Sequence, residues 1–312
     1  MVHTTLVTGG NGFIGSNLVK AMLDADGRKV IVLDKRDGYK IEEHDRVIQI
    51  RGDITNKKLV FETVEKVDTI VHLAAETAVL DSISNPVESF ETNVIGTMNL
   101  LEAAKTLGRP KFINASTGGA IIGDAIPPVH EDMVANPISP YGASKLAVEG
   151  YCSAYSACYE IPIISLRFAN VYGPGSLHKG SVIAQFIKNI LAGNKIEVFG
   201  DGTQERDYIY CQDLCLGILN AEDSQATGVF QLGTGAPTSI NVLLRELSEV
   251  INQDISDRIN FNEFKKGEIL KTYCDINKAK RYLNFQPSTT LNEGLRKTWD
   301  WFVSESIDRA NS

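Results

Sequence analysis

Short apolar runs alternate with helix-length stretches through the first half of the chain. Thr4–Val7, Lys29–Leu33, Val47–Ile50, Thr69–His72, Lys111–Asn114 and Ile163–Leu166 read as buried strands. Between several of them lie the helical patterns Gly12–Leu23, Pro86–Leu107 and Tyr141–Cys158. Strand, helix, strand in repetition predicts an α/β fold, a doubly wound parallel sheet with helices on both faces. Ligands of such sheets sit at the carboxyl ends of the strands. Gly9–Gly15, Asp34, Asp53, His72–Ala75 and Ser116-Thr117 all follow predicted strand ends.

After about Asn170 the rhythm changes. Loops such as Tyr172-Gly173-Pro174-Gly175 and Phe199-Gly200-Asp201-Gly202 interrupt shorter elements. Helical patterns return at Ser181–Leu191, Gln212–Ala221, Ile240–Ile251 and Leu291–Phe302. The expected organisation is a dinucleotide-binding domain over residues 1–170, to which about 207–234 returns, and a smaller mixed α/β substrate-binding lobe from 171–206 and 235–312.

Composition narrows the classes. The 312 residues suffice for a large core, and 43% hydrophobic with 22% charged residues fits an ordinary globular protein. A formal charge of -8 disfavours nucleic acid or an anionic membrane as the main partner. The five cysteines include no C-x-x-C and no zinc set, and are expected to be reduced thiols with no bound metal. No secretory signal and no apolar run of membrane-spanning length is visible, so a cytoplasmic location is expected.

Gly10-x-Gly12-x-x-Gly15 follows a strand and opens a helix. Glycines permit the tight turn and let the backbone approach a pyrophosphate. The helix start, Phe13 and Ile14, then offers free N–H groups to the phosphates. Asp34 ends the second strand, 19 residues after Gly15. A carboxylate there accepts from ribose hydroxyls and repels a 2'-phosphate, favouring NAD over NADP, although Lys35 and Arg36 follow directly. Gly52-Asp53-Ile54 ends the third strand, where Asp53 either caps the next helix or accepts from the adenine amino group.

Tyr141 and Lys145 stand one helical turn apart. A free tyrosine titrates at about 10, and a nearby cation lowers that value by favouring the phenolate. The pair could then move a proton on a substrate hydroxyl while hydride leaves the same carbon. Ser116-Thr117 closes the strand before this helix and can hydrogen-bond the reacting oxygen.

With these motifs the chain resembles the extended short-chain dehydrogenase/reductases, in particular the NAD-dependent nucleotide-sugar epimerase/dehydratase group, a Rossmann-type fold. The resemblance runs from Thr8–Gly15 through His72–Ala75, Asn93–Thr97, Ser116–Gly119, Tyr141–Lys145, Arg167–Pro174, Gly200–Asp207 and Lys265–Glu268 to Trp299–Phe302. It implies that Tyr141 is the acid/base and that Lys145 holds the nicotinamide ribose. It implies further that His72, Leu73, Ala74 and Ala75 line the cofactor with Gly9, Gly12, Phe13, Ile14, Gly15, Asp34, Lys35, Asp53 and Ile54, and that Asn93 supports the active-site wall. Asn170 and Arg206 would bind the diphosphate of a nucleotide sugar; otherwise Arg206 pairs with Glu205 or Asp207 at the surface. Relatives usually dimerise through the helices corresponding to Pro86–Leu107 and Tyr141–Cys158, so a homodimer is expected, with Leu100, Leu101, Ala103 and Ala104 compatible with that interface.

The departures sharpen the expectation. Dehydratases of the group carry an Asp-Glu pair directly after the catalytic threonine, where this chain has Gly118 and Gly119. That disfavours dehydration and favours epimerisation at C4 of a nucleotide sugar, with a 4-ketoreductase or dehydratase of the same family, or a non-catalytic NAD-binding regulator, as alternatives. Thr117 is the expected acting hydroxyl, with Ser116 second. Ile122 replaces the usual tyrosine, and Lys265 stands where many relatives have an arginine, which keeps the charge and loses the fork. Thr272 would border the sugar pocket and leave room for a 2-acetamido group, so UDP-GlcNAc/UDP-GalNAc would be accepted as well as UDP-Glc/UDP-Gal.

Overall fold

The computed structural model describes residues 2–25, 27–36, 44–264 and 269–310. The strands are β1 (Thr4–Thr8), β2 (Lys29–Asp34), β3 (Val47–Arg51), β4 (Thr69–His72), β5 (Lys111–Thr117), β6 (Ile163–Phe168), β7 (Asn170–Tyr172), β8 (Ile196–Phe199), β9 (Glu205–Arg206), β10 (Tyr208–Tyr210), β11 (Gly228–Leu232), β12 (Thr238–Ser239), β13 (Ile259–Asn262) and β14 (Lys271–Thr272). The helices are α1 (Phe13–Asp24), α2 (Lys57–Val64), α3 (Val79–Ser84), α4 (Pro86–Phe90), α5 (Gly96–Thr106), α6 (Gly118–Ile122), α7 (Pro140–Tyr159), α8 (Val182–Leu191), α9 (Cys211–Asp223), α10 (Ile240–Ile251), α11 (Asn277–Leu283) and α12 (Leu291–Ala310).

The apolar runs assemble into a seven-stranded sheet of order β11-β6-β5-β4-β1-β2-β3, parallel throughout. Successive side chains of a strand point to opposite faces. Leu6 therefore joins one core, with Leu33, Ile70, Phe112, Leu100 and Val148, while its neighbour Val7 joins the other, with Val32, Leu18, Met22, Leu214 and Ile218. Each such side chain contributes about 1.5–3 kcal/mol when fully buried. The strand order reverses between β1 and β4, which opens a crevice where the glycine turn leaves β1.

The second lobe has its own core, in which α8 and α10 bury Ile183, Phe186, Ile187, Leu243 and Leu247 against Phe302 of α12. Its strands are short. β9 pairs antiparallel with β12 and parallel with β14, β7 pairs with β10, and β8 with β13.

The long helix expected over Pro86–Leu107 is instead α4, a π-helical turn at Glu91–Ile95, and α5. A π turn carries an extra residue per turn and re-aims the side chains it contains. Asn93 lies within it. Leu100, Leu101, Ala103 and Ala104 are fully buried in the sheet-facing core, so they pack within the chain rather than presenting a dimer face. The exposed apolar residues of this region are Leu80, Ile83, Val87 and Phe90. Among the described residues, no helix is long and apolar enough to cross a membrane.

Candidate active site

The turn after β1 is a cradle built from backbone. Gly9 adopts φ +70°, and a Cβ on it would lie 2.8 Å from the Ala74 nitrogen. A Cβ on Gly15 would lie 2.2 Å from the Gly9 carbonyl oxygen. Gly12 N–H donates to that same carbonyl at 3.0 Å and stands as the N-cap of α1, with no side chain capping the helix. The free N–H groups of the first turn and the absence of side-chain bulk fit a pyrophosphate. Asp34 holds the loop from β2, accepting from Asn11 N–H and Arg36 N–H, each at 3.0 Å. Its remaining lone pairs suit ribose hydroxyls.

Several expected cofactor contacts are engaged elsewhere. Lys35 donates to Glu76 at 2.7 Å, and this bond raises its pKa. Asp53 accepts from Thr55 N–H and Oγ1, while Asn56 caps α2, so the capping alternative for Asp53 belongs to Asn56. The Ile54 side chain lies in the core, within reach of Gly96. Leu73 N–H extends the sheet by donating to the Thr8 carbonyl at 3.1 Å.

Beneath the cradle runs a directional chain of hydrogen bonds. Ala74 N–H donates to Thr8 Oγ1 at 3.2 Å, so the Thr8 hydroxyl donates to His72 Nδ1 at 2.7 Å. Thr97 Oγ1 donates to the Asn93 carbonyl at 2.5 Å and accepts from His72 Nε2 at 2.8 Å. The chain requires a neutral imidazole, and burial, aided by Lys145, lowers the His72 pKa to about 3. His72 is thus a buried strut and not part of the cofactor lining. Asn93 is 1% exposed; it accepts from Glu76 N–H at 2.8 Å and donates to the Glu76 carbonyl and, at 3.0 Å, to Ser144 Oγ. The π turn thereby ties the loop after β4 to α7.

Helix α7 begins cleanly. Ser139 caps it by accepting from Gly142 N–H at 3.1 Å, and Pro140 occupies the first turn. Tyr141 N–H donates to Ser82 Oγ. Lys145 is buried and donates to the Ala115 carbonyl at 2.8 Å; burial lowers its pKa to about 8. Burial raises the Tyr141 pKa to about 12, opposite to the lowering expected from a nearby ammonium. Desolvation disfavours the phenolate, and the Lys145 ammonium is committed to a backbone carbonyl.

Ser116 also departs from expectation. Its hydroxyl points into the interior and donates to Glu149 at 2.6 Å. Glu149 in turn forms a two-point pair with Arg167, whose side chain is equally buried. Thr117, the next residue, faces the other side of the pleat, is half-buried, and heads α6 with its side chain making no cap bond. Gly118 lies against Gln231 of β11: a Cβ would stand 2.5 Å from Oε1 of that side chain. Gly119 faces Thr272: a Cβ on it would stand 3.6 Å from Oγ1, an ordinary contact.

Thr272 also pairs with Arg206 across β14 and β9, so these two and Gly119 are contiguous. Arg206 donates to the Glu205 and Leu270 carbonyls, while Glu205 pairs with Lys271. The Asp207 carboxylate accepts instead from Thr234 N–H and Oγ1, from Gly235 N–H and from the Cys274 thiol. Among the described contacts, neither of these two carboxylates is paired with Arg206. Asn170 donates to the Asp207 carbonyl at 3.2 Å. Lys265 lies outside the described residues.

A cavity of about 570 Å³ opens beside them, lined by Asn170, Tyr172, Gln185, Phe199, Gln204 and Arg206 among others. Gln204 Oε1 and the Tyr208 hydroxyl are buried at its wall with no hydrogen-bond partner among the described residues. The sequence does not single out Gln204, Tyr208, Gln231 or the Glu149–Arg167 pair, and it offers Asp207 only as a surface partner of Arg206. Asp207 stood in plain view beside Arg206; the others have partners too distant in sequence to be read from spacing.

Residues 5–233 match the family model described as the NAD dependent epimerase/dehydratase family. The UDP-glucose 4-epimerase of Mycolicibacterium smegmatis is 35% identical, covering 97% of this chain and 99% of that protein. The crystal structure of a UDP-glucose 4-epimerase from Thermotoga maritima, with UDP-glucose, superposes with a TM-score of 0.91 at 34% identity, over 97% of this chain and 99% of that one. A UDP-glucuronic acid 4-epimerase from Bacillus cereus, in complex with UDP-glucuronic acid and NAD, superposes with a TM-score of 0.89 at 31% identity, over 97% and 99% of the two chains. The chain with this glycine cradle and this tyrosine–lysine helix belongs to the NAD dependent epimerase/dehydratase family.

Proposed function

We propose that the protein is an NAD-dependent 4-epimerase of UDP-sugars. The observation that carries this reading is the pairing of Tyr141 and Lys145 with two glycines after Thr117. Gln231 occupies the space a side chain at Gly118 would need. The two carboxylates that expel water in dehydratases are absent from these positions, while the proton-moving machinery is intact.

In this reading NAD+ held on the Gly9–Gly15 cradle and Asp34 would supply a hydride acceptor for C4 of the sugar, a hydride donor for the return to the opposite face, and the positive charge of its ring. Tyr141 takes the proton of the C4 hydroxyl as hydride leaves and gives it back on return. Its own surroundings hold it protonated at neutral pH, so it depends on added positive charge to act as a base. Lys145 lies on the same helix face, where its ammonium is held by the Ala115 carbonyl, so the added charge is that of the cofactor ring. Thr117 hydrogen-bonds the reacting oxygen. Asn170 and Arg206 bind the diphosphate, and the guanidinium fork matches phosphate oxygens. The exposed Leu80, Ile83, Val87 and Phe90 support a homodimer as the working assembly.

The test is to incubate purified protein, without added cofactor, with UDP-Glc, UDP-Gal, UDP-GlcNAc and UDP-GalNAc, and to follow each by NMR. Interconversion of a C4 pair is expected. Turnover of a 4-keto sugar only with added reduced cofactor would replace the epimerase with a reductase.

A further inference from the structure

The turn between β7 and α8 is tied down over the phosphate cradle. The Pro174 carbonyl accepts from Asn17 Nδ2 of α1 at 2.9 Å. A Cβ on Gly175 would touch Asn17 and Phe13 at 3.4–3.5 Å. Ser176, 1% exposed, donates to the Gly173 carbonyl at 2.7 Å, and Lys179 N–H donates to the Ser176 carbonyl at 2.9 Å. The turn is thus a built element whose floor is the first turn of α1.

Lys179 projects from this turn across the crevice. Its ammonium reaches Thr77 Oγ1, on the loop after β4, at 3.4 Å. Among the described residues no carboxylate pairs with it. The nearest acid by sequence to that hydroxyl, Glu76, is taken by Lys35. The charged neighbour of Lys179 is another cation, Arg36, which together with burial depresses its pKa. Arg36 stands 4.0 Å from Asp34, but Lys179 has no carboxylate partner among the described residues, and an ammonium so placed is arranged for an anion. Beneath them lie the free N–H groups of α1.

We propose that Lys179 straps the dinucleotide into its crevice, with its ammonium binding the cofactor pyrophosphate between the 173–179 turn and Thr77. The inference rests on reading the glycine cradle as the NAD site. It assigns Lys179 to the cofactor and not to the sugar nucleotide. The substrate-side cavity is lined by Asn170, Val171 and Tyr172 and then by residues from Gly180 onward, and Lys179 is not among them. A strap of this kind suits an enzyme that must keep one cofactor through both halves of its reaction.

The experiment compares wild type with Lys179→Met, which keeps the aliphatic stem, and Lys179→Arg, which keeps the charge. NAD+ affinity and UDP affinity are measured separately by calorimetry, together with cofactor retained after gel filtration. Thr77→Val provides a second variant outside the turn. Lys179→Met should bind NAD+ about tenfold more weakly, the scale of one charge-assisted hydrogen bond, and lose retained cofactor, with UDP affinity unchanged. Lys179→Arg should stay near wild type, Thr77→Val should show a smaller loss of the same sign, and raised salt should narrow the gap. Unchanged NAD+ affinity in Lys179→Met overturns the proposal, as does weakened UDP binding with NAD+ binding intact. Wild type that binds no NAD+ would instead overturn the reading of the cradle, and the strap with it.

Discussion

The cofactor side and the substrate side of this molecule are built on different principles. The cofactor side is made of backbone: Gly9, Gly12 and Gly15 shape a cradle within one strand–turn–helix unit, and a parallel sheet holds it. The substrate side is made of side chains drawn from far apart. Asn170, Gln185, Gln204, Arg206 and Thr272 come from separate strands, a helix and a loop, beside an Asp207 carboxylate that ties down Thr234, Gly235 and Cys274. A backbone site tolerates almost no change at its glycines and almost any change around them. A side-chain site can be retuned one residue at a time, which is how one framework serves many sugars.

The largest effect should come where the two sides meet. Tyr141→Phe removes the proton carrier and should lower kcat by about 10³-fold or more, with NAD+ content and thermal melting unchanged. Loss of the cofactor in that variant would make Tyr141 a binding residue. Next, Gly15→Ala forces a Cβ into the Gly9 carbonyl and should weaken NAD+ binding by about a hundredfold, while UDP binding stays within about twofold. Its counterpart on the other side, Gly180→Ala, meets nothing within 4 Å and should leave both affinities unchanged. Equal sensitivity at the two glycines would erase the contrast.

A third effect belongs to His72 under the cradle. The unfolded chain takes up this proton near 6.5 and the folded chain only near 3, so acidification below 6.5 favours unfolding. Each unit costs about 1.4 kcal/mol, or about 2 kcal/mol at pH 5. Urea midpoints at pH 7 and pH 5 should fall further apart in wild type than in His72→Gln; equal differences would remove His72 as the cause. The smallest effect is on the substrate side. Thr272→Tyr should raise KM for UDP-GlcNAc about tenfold relative to UDP-Glc, the scale of a lost fit in one pocket, and equal losses on both sugars would place Thr272 outside the acetamido site.

The same contrast explains what the sequence makes legible. Cradle, sheet and Tyr141/Lys145 are local patterns, because period-2 and 3.6-residue spacing and glycine turns are written in consecutive residues. The direction of Ser116 is not. It depends on Glu149 and Arg167, which meet it only after β5, β6 and α7 pack. The Tyr141 pKa escapes for a related reason: spacing reveals the nearby ammonium, while burial and the Ala115 carbonyl decide the sign. The π turn that aims Asn93 leaves no periodicity signal distinct from an ordinary helix.

The contact between Gly118 and Gln231 also limits how this enzyme could be diverted in evolution. An acidic residue introduced at 118 would meet the far end of the Gln231 side chain, which must swing aside to admit it, whereas a side chain at 119 would meet Thr272 only at ordinary contact distance. The first turn of α6 and Gln231 of β11 would therefore have to adjust together, and the freedom of one amide side chain sets how easily a carboxylate enters.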